Sequence, residues 1–200
     1  VQPGTSNNYA SQTIDVNFAD GSTAQIVTAA NATAGAISSQ FGLLDGVVAT
    51  ASTSSTILSG SYTNASGAMN ISLNGINFQP TGATTALQLA DLGTKINSSS
   101  LVGVTAVIDG SDLRIIQDQG ADLVFGFAGG AGDSFDVEGF DNPVTALSLN
   151  AAQAQASVGG TINVVLDGGI SLTNASVNTP IIATFTGQPF VNNVFSPTDP

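Results

Sequence analysis

In the stretch 70–115, NISLNGINFQPTGATTALQLADLGTKINSSSLVGVTAVIDGSDLRI, the apolar positions change period twice. Ile71 and Leu73 alternate with polar residues up to Asn74-Gly75, and Ile76 and Phe78 resume the alternation beyond it, which is a hairpin signal. Leu89, Leu92 and Ile96 then recur at helical spacing across TTALQLADLGTKIN. Thr85 and Gln88 have the spacing of a capping box, and Asp91 and Lys95 form an i,i+4 pair on another face. Gly93 costs a helix about 1 kcal/mol relative to Ala, a cost that close packing on a sheet would offset. Val104, Ala106 and Ile108 alternate up to Asp109-Gly110, and Leu113 and Ile115 continue on the far side. The predicted order is ββαββ.

The same plan occurs upstream. Ile14, Val16 and Phe18 alternate before Asp20-Gly21, and Ala24 and Ile26 alternate after it. Ala34, Ile37, Phe41 and Leu44 fall on one helical face, and GVVATA at 46–51 matches GVTAVI at 103–108. The helical segment is about five residues shorter in this first copy, so a divergent duplication is expected over 12–58 and 69–116, with the second helix longer by about one turn. Beyond 120 the pattern loosens. GADLVFGFAGGAGDSFDVEGFDNP reads as loops with short strands, and TALSLNAAQAQASV has weak helical character. GTINVVLDGGISLTNAS reads as a hairpin around Asp167-Gly168, PIIATFTG as a last strand, and Pro189, Pro197 and Pro200 as an extended exit. The expected fold class is α+β, mostly β, with hairpins and one helix per unit. The expected division is 1–60 for the first unit and 61–200 for the second unit with the β-rich remainder, SGSYTNASGA at 59–68 lying between two lobes, or else one compact domain excised from a larger protein.

Two hundred residues, 42% of them apolar, can bury a substantial core. The charge narrows the choice of partners. Fourteen acidic residues face only Lys95 and Arg114, a net charge of −12. Nucleic acid and anionic membrane surfaces repel such a chain, so neither is an expected partner. With no Cys and no His, disulfides, thiol nucleophiles, the usual zinc ligands and Ser-His chemistry are excluded. No apolar run has the length of about eighteen residues that spans a bilayer. The first residues lack the basic-then-apolar layout of a signal peptide. A chain running from Val1 to Pro200 without an initial Met reads as an excised piece.

A family resemblance rests on particular residues. Segment 69–125 resembles the flagellin hook IN motif through Thr85-Ala86 at the helix start, Ile96-Asn97 at its end, and the strand start Gly103 to Ala106. In the first copy Leu44-Asp45 stands where the Ile-Asn pair would be, and the likeness is weaker. The tail NNVFSPTDP resembles the stretch leading back into the inner strands of flagellar hook proteins. The resemblance implies a surface-exposed outer domain of a bacterial flagellar axial protein, most like a hook protein, else a hook-associated protein or flagellin. It implies export from the cell, neighbouring copies of the same protein as partners, no cofactor, and sliding contacts as the hook bends. No functional residue transfers, because the module is structural in that family. The isolated chain is expected to be monomeric.

Candidate chemistry is sparse. Asp133, Asp136, Glu138 and Asp141 in GDSFDVEGFD form the best acidic cluster, readable either as a calcium loop or as a surface loop anchored by Phe135 and Phe140. Its spacing matches no EF-hand. A Ser–Lys pair would have to use Lys95, which Asp91 already neighbours, and a two-carboxylate glycosidase would draw on scattered Asp residues. Asn31-Ala32-Thr33 and Asn70-Ile71-Ser72 fit a glycosylation acceptor pattern. No catalytic, cofactor or metal residue is assigned, and no enzyme is expected. The rival function is a β-rich binding module of a bacterial surface adhesin, dependent on glycans or calcium.

Overall fold

The hairpins expected around Asp20-Gly21, Asn74-Gly75 and Asp109-Gly110 form in the computed structural model, which describes residues 1–139, 142–174 and 182–186. The chain begins with β1 (Gln2–Pro3), β2 (Gln12–Asn17), β3 (Thr23–Thr28), α1 (Ala34–Phe41) and β4 (Val47–Thr63). Next come β5 (Asn70–Leu73), β6 (Ile76–Phe78), α2 (Thr85–Asn97), β7 (Val104–Asp109) and β8 (Asp112–Gln117). The remainder holds β9 (Leu123–Ala128), β10 (Ser134–Gly139), β11 (Asn142–Leu149) and β12 (Gln155–Val158). It continues with β13 (Thr161–Leu166), β14 (Ser171–Asn174) and β15 (Ile182–Thr186). The class is α+β, mostly β.

Two compact units result, each assembled from separate stretches rather than from 1–60 and 61–200. Unit 1 comprises Val1–Asn7, Thr53–Asp118 and Asp122–Gly159, and unit 2 comprises Asn8–Ser52, Gln119–Ala121 and the chain from Gly160 on. Strand β4 occupies 59–68 as far as Thr63, so that stretch is not a linker between lobes.

In unit 1 one sheet runs β1-β12-β9-β5-β6 and the other β7-β8-β4-β10-β11, all pairs antiparallel. Ile71, Leu73 and Phe125 from one sheet and Ile57, Leu113, Phe135 and Val137 from the other enter a single core. Helix α2 adds Leu89, Leu92 and Ile96, all buried, as their spacing predicts. Gly93 is buried too, and a Cβ there would lie 3.0 Å from Leu113 Cδ1, so the helix does approach the sheet closely. The N-cap is Thr84, whose hydroxyl accepts from the Leu87 amide (3.3 Å), one residue before the expected Thr85. The Gln88 side chain donates instead to the Gly82 carbonyl, so the capping box does not form. Asn74 and Gly75 both have positive φ, as a type I′ turn requires. The second hairpin turns on Gly110-Ser111, closed by the Asp109–Asp112 pair, one residue beyond the expected Asp109-Gly110.

In unit 2, β14-β2-β3 form one sheet, while the start of β4 pairs antiparallel with β13, and β13 pairs parallel with β15. Ile14, Val16, Ile26, Val47, Val164 and Leu172 pack with Ala34, Ile37 and Phe41 of α1. Leu44 lies past the end of α1 and packs against this core half-buried.

The first copy of the predicted repeat lacks its second strand pair in sequence: after α1 comes one seventeen-residue strand. The missing strand is β13. Val47 pairs with Leu166 as Val104 pairs with Gln117, and the register then continues in step. At the end of each pair an aspartate amide closes the corner: Asp167 N–H on the Gly46 carbonyl and Asp118 N–H on the Gly103 carbonyl, both 2.9 Å. Gly46 and Gly103 have φ of 75° and 70°, and two residues past each aspartate Gly169 and Gly120 are again positive. The next strand, β14 or β9, buries Leu172 or Leu123 within its first two residues and pairs with the first strand of the module, β2 or β5. The six elements β2-β3-α1-β4-β13-β14 therefore follow the plan of β5-β6-α2-β7-β8-β9. Residues 53–160 sit in the chain where the first module would need only a turn.

This topology overturns the hairpin expected around Asp167-Gly168. Strands β13 and β14 flank that turn but pair with β4 and β2 instead of each other. The weakly helical TALSLNAAQAQASV is strand at both ends, since Leu149, Ala156 and Val158 are needed in the core and tertiary packing overrides the helix preference of Ala and Gln. Helix α2 has thirteen residues and α1 eight, the expected extra turn. The Pro-containing tail, with Pro189, Pro197 and Pro200, lies outside the described residues.

Candidate functional site

The acidic cluster is divided by the period of a strand. Ser134–Gly139 is β10, which buries Phe135 and Val137 on one side and leaves Asp136 and Glu138 half-exposed on the other. Phe135 is the anchor expected of it, whereas Phe140 and Asp141 lie outside the described residues. Asp133 is buried and fully engaged: it accepts from the Ser66 amide (2.9 Å), the Ser66 hydroxyl (2.6 Å) and the Gly130 amide (2.7 Å). The Ser66 hydroxyl, followed by its amide, holds the Asp133 carboxyl below the usual range. Asp133 thus fastens the 64–68 turn to the turn before β10. Among the described residues no three His, Cys, Asp or Glu side chains converge as a metal site.

Lys95 and Arg114 are both engaged. The Lys95 ammonium donates to Asp91 Oδ2 (2.7 Å) and to the Gln79 carbonyl (2.6 Å). Asp91 also accepts from the amide and hydroxyl of Thr81, and the Lys95 hydrogen bond is the main reason its carboxyl is held below the usual range. This is the i,i+4 pair expected from the sequence, and it ties the loop before α2 to the helix. Arg114 Nε donates to Ser54 Oγ (3.2 Å) across β8 and β4. Asp122 takes both carboxylate bonds from the Asn7 amide (3.1 and 2.9 Å), while burial pushes its carboxyl up. The phenol of Tyr62 is buried without a hydrogen bond, and burial with the charges of Asp133 and Asp91 pushes it up. It would remain protonated at neutral pH.

The glycosylation triplets are spent on structure. Thr33 is the N-cap of α1 and accepts from the Ala36 amide (3.2 Å), and Asn70 lies half-buried on β5 with its amide on the Ala68 carbonyl (3.3 Å).

The Ile-Asn pair has a clear role. Ile96 is buried, and the next side chain, Asn97, clasps Ala106 on β7. Its Nδ2 donates to the Ala106 carbonyl (2.8 Å) and its Oδ1 accepts from the Ala106 amide (2.7 Å). Among the described residues β7 pairs only with β8, so the clasp satisfies backbone groups on an edge that would otherwise be open to another chain. In the first module Ser38 Oγ donates to the carbonyl of Ala49, the residue matching Ala106 (3.0 Å).

One depression opens on the face of the β1-β12-β9-β5-β6 sheet, about 370 Å³ in volume. Its floor is Gly126, flanked by Ser72 and Gln155, its register partners on β5 and β12. Neither this groove nor the Asp133–Ser66 fastening is legible in a local stretch of sequence, because they join residues 29 to 67 positions apart.

The chain matches no family profile and no curated protein sequence. Among the described residues no helix is long and apolar enough to cross a membrane.

Proposed function

We propose that this protein is a structural domain from the outer region of a bacterial flagellar axial protein, most like a hook protein. Exported from the cell, it contributes weak contacts between neighbouring copies in a helical tubular assembly. One observation carries the reading: Ile96, Asn97 and Gly103, three of the residues behind the resemblance, build the module. Ile96 fills the core, Asn97 clasps β7, and Gly103 takes the positive φ that starts the strand. The engagement of Asp133, Lys95 and Asp91 in loop fastening also supports a mechanical rather than a catalytic role. Immunogold labelling of the producing cells with antibody to this chain tests it. Label on the hook at the filament base is expected. Label spread over the cell envelope would overturn the flagellar reading in favour of a surface adhesin, the reading that a ligand groove on an open sheet face favours.

A further inference from the structure

The depression on the first sheet of unit 1 is lined without a charged residue. Across the first sheet of unit 1, Gln155, Gly126, Ser72 and Asn77 stand in a single register row over four strands, and Gly4, just past β1, borders it. Gln155 pairs with Gly126, Gly126 with Ser72, and Ser72 with Asn77, while the Gly4 amide bonds the Gln155 carbonyl (3.1 Å). From Gln155 to Asn77 the row crosses three strand spacings, about 14 Å. Gly126 has no side chain to fill the middle, and a Cβ there would meet Ser72 Oγ at 2.1 Å, so the floor stays open only because the residue is Gly. Asn70 and Gln153 border the row, and no Asp, Glu, Lys or Arg lines the depression, although the chain as a whole carries −12.

The side chains of the row divide into fixed and free. Gln153 Nε2 is held on the Gln155 carbonyl (2.6 Å), and Asn70 Nδ2 on the Ala68 carbonyl (3.3 Å). The Ser72 hydroxyl and the amides of Asn77 and Gln155 have no partner among the described residues, so they are available to a ligand. Each can both donate and accept. Strands β12, β9 and β5 are each paired on both sides, so the floor of the groove offers no backbone to an added strand. A charged ligand finds no counter-charge here. The ring of Phe127 packs against Phe135 inside the core (centroids 6.2 Å apart) and does not provide a stacking platform.

We infer that this groove binds a short neutral oligosaccharide, whose hydroxyls also both donate and accept, through Gln155, Ser72 and Asn77. Hydrogen bonding without ring stacking predicts weak affinity, a Kd of about 1 mM. The inference does not rest on the flagellar reading and would hold for either location of the protein. The test is a ¹H–¹⁵N titration of the full chain with maltotriose, cellotriose and N,N′-diacetylchitobiose, and with heparin-derived disaccharide as an anionic probe. Saturable shifts from at least one neutral sugar, centred on Ser72, Asn77, Gly126 and Gln155, are expected. Asn77→Ala and Gln155→Ala, at exposed positions, should each weaken binding about tenfold with amide spectra otherwise unchanged. No saturable shift up to about 50 mM of any neutral sugar, shifts centred elsewhere, or equal binding of the anionic probe would overturn it.

Discussion

The two modules reach one topology by different routes along the chain. In unit 1, β7 and β8 are joined by the two residues Gly110-Ser111. In unit 2 their counterparts, the start of β4 (47–52) and β13, are separated by residues 53–160, yet they pair in the same register. The hairpin turn is therefore dispensable to the plan. The shared feature is the corner beyond it, where a glycine at positive φ starts one strand and an aspartate amide after the other strand bonds that glycine's carbonyl. The modules also differ in finish. The longer helix α2 ends in a two-bond clasp from Asn97, while α1 offers one bond from Ser38. The first hairpin of unit 1 turns on two residues, and that of unit 2 on the five residues 18–22.

If both modules are built alike, matching core residues should matter alike. Phe41 and Leu92 each stand eight residues beyond their N-caps, Thr33 and Thr84, and both are fully buried. Phe41→Ala should cost about 3–5 kcal/mol and Leu92→Ala about 2–5 kcal/mol. Hydrogen exchange should show the first loss in β2, β3 and β13, and the second in β7 and β8. A pair of variants that loosen the same strands would break the comparison.

The corner glycines come next. At Gly46 and Gly103 an alanine would take up a left-handed backbone, costing about 1–2 kcal/mol on its own. Its Cβ would meet Ile170 Cδ1 at 2.7 Å or Asp118 Oδ1 at 2.4 Å, which adds to the cost. Gly60, with open space around it, should accept Ala within about 0.5 kcal/mol. Urea unfolding of the three variants gives the ranking, and a Gly103→Ala as mild as Gly60→Ala would refute the role of the corner.

The clasps should separate the modules. Each net hydrogen bond contributes about 0.5–1.5 kcal/mol, so Asn97→Ala should cost about 1–3 kcal/mol and Ser38→Ala about half that. Equal costs measured by thermal unfolding would mean that the second bond of Asn97 adds nothing.

Acid should act more on unit 1, with a smaller effect. Asp133 and Asp91 have carboxyls held below the ordinary 3.8, so their stabilisation is complete above that value and is lost as pH falls through their folded-state values. Asp122 is raised, so its contribution is present at low pH and is lost as pH rises through its folded value. In unit 2 Asp20, exposed in the β2–β3 loop, is lowered by Ser22. Melting curves between about pH 6 and pH 3 should fall less steeply for Asp133→Asn than for the parent chain. An unchanged slope would remove Asp133 from the acid response.

Local signals are legible in the sequence, and pairings across long separations are not. Alternation around Asn74-Gly75 and the Leu89, Leu92, Ile96 spacing depend only on neighbours, and both the strands and the buried helix face follow from them. The cap falls on Thr84 rather than on its neighbour Thr85, and the sequence does not distinguish two adjacent residues equally able to cap. The Asp167-Gly168 turn looked like a hairpin because strand–Asp-Gly–strand is the same string whether the second strand folds back or crosses to another sheet. The acidic stretch around Asp136 looked like a loop because its carboxylates masked a period-two pattern in Phe135 and Val137. Asn97 was identified only through resemblance, since nothing local says that its side chain reaches Ala106. The Gly126 groove needs four strands in register, which no window of sequence contains.

The shared plan is tested most directly by long-range backbone NOEs in the uniformly labelled chain. The account predicts cross-strand contacts of Val47 with Leu166 and Ala49 with Val164, matching those of Val104 with Gln117 and Ala106 with Ile115, together with slow exchange of the Asp167 and Asp118 amides. Contacts that instead zip β13 to β14 around Asp167-Gly168 would contradict it.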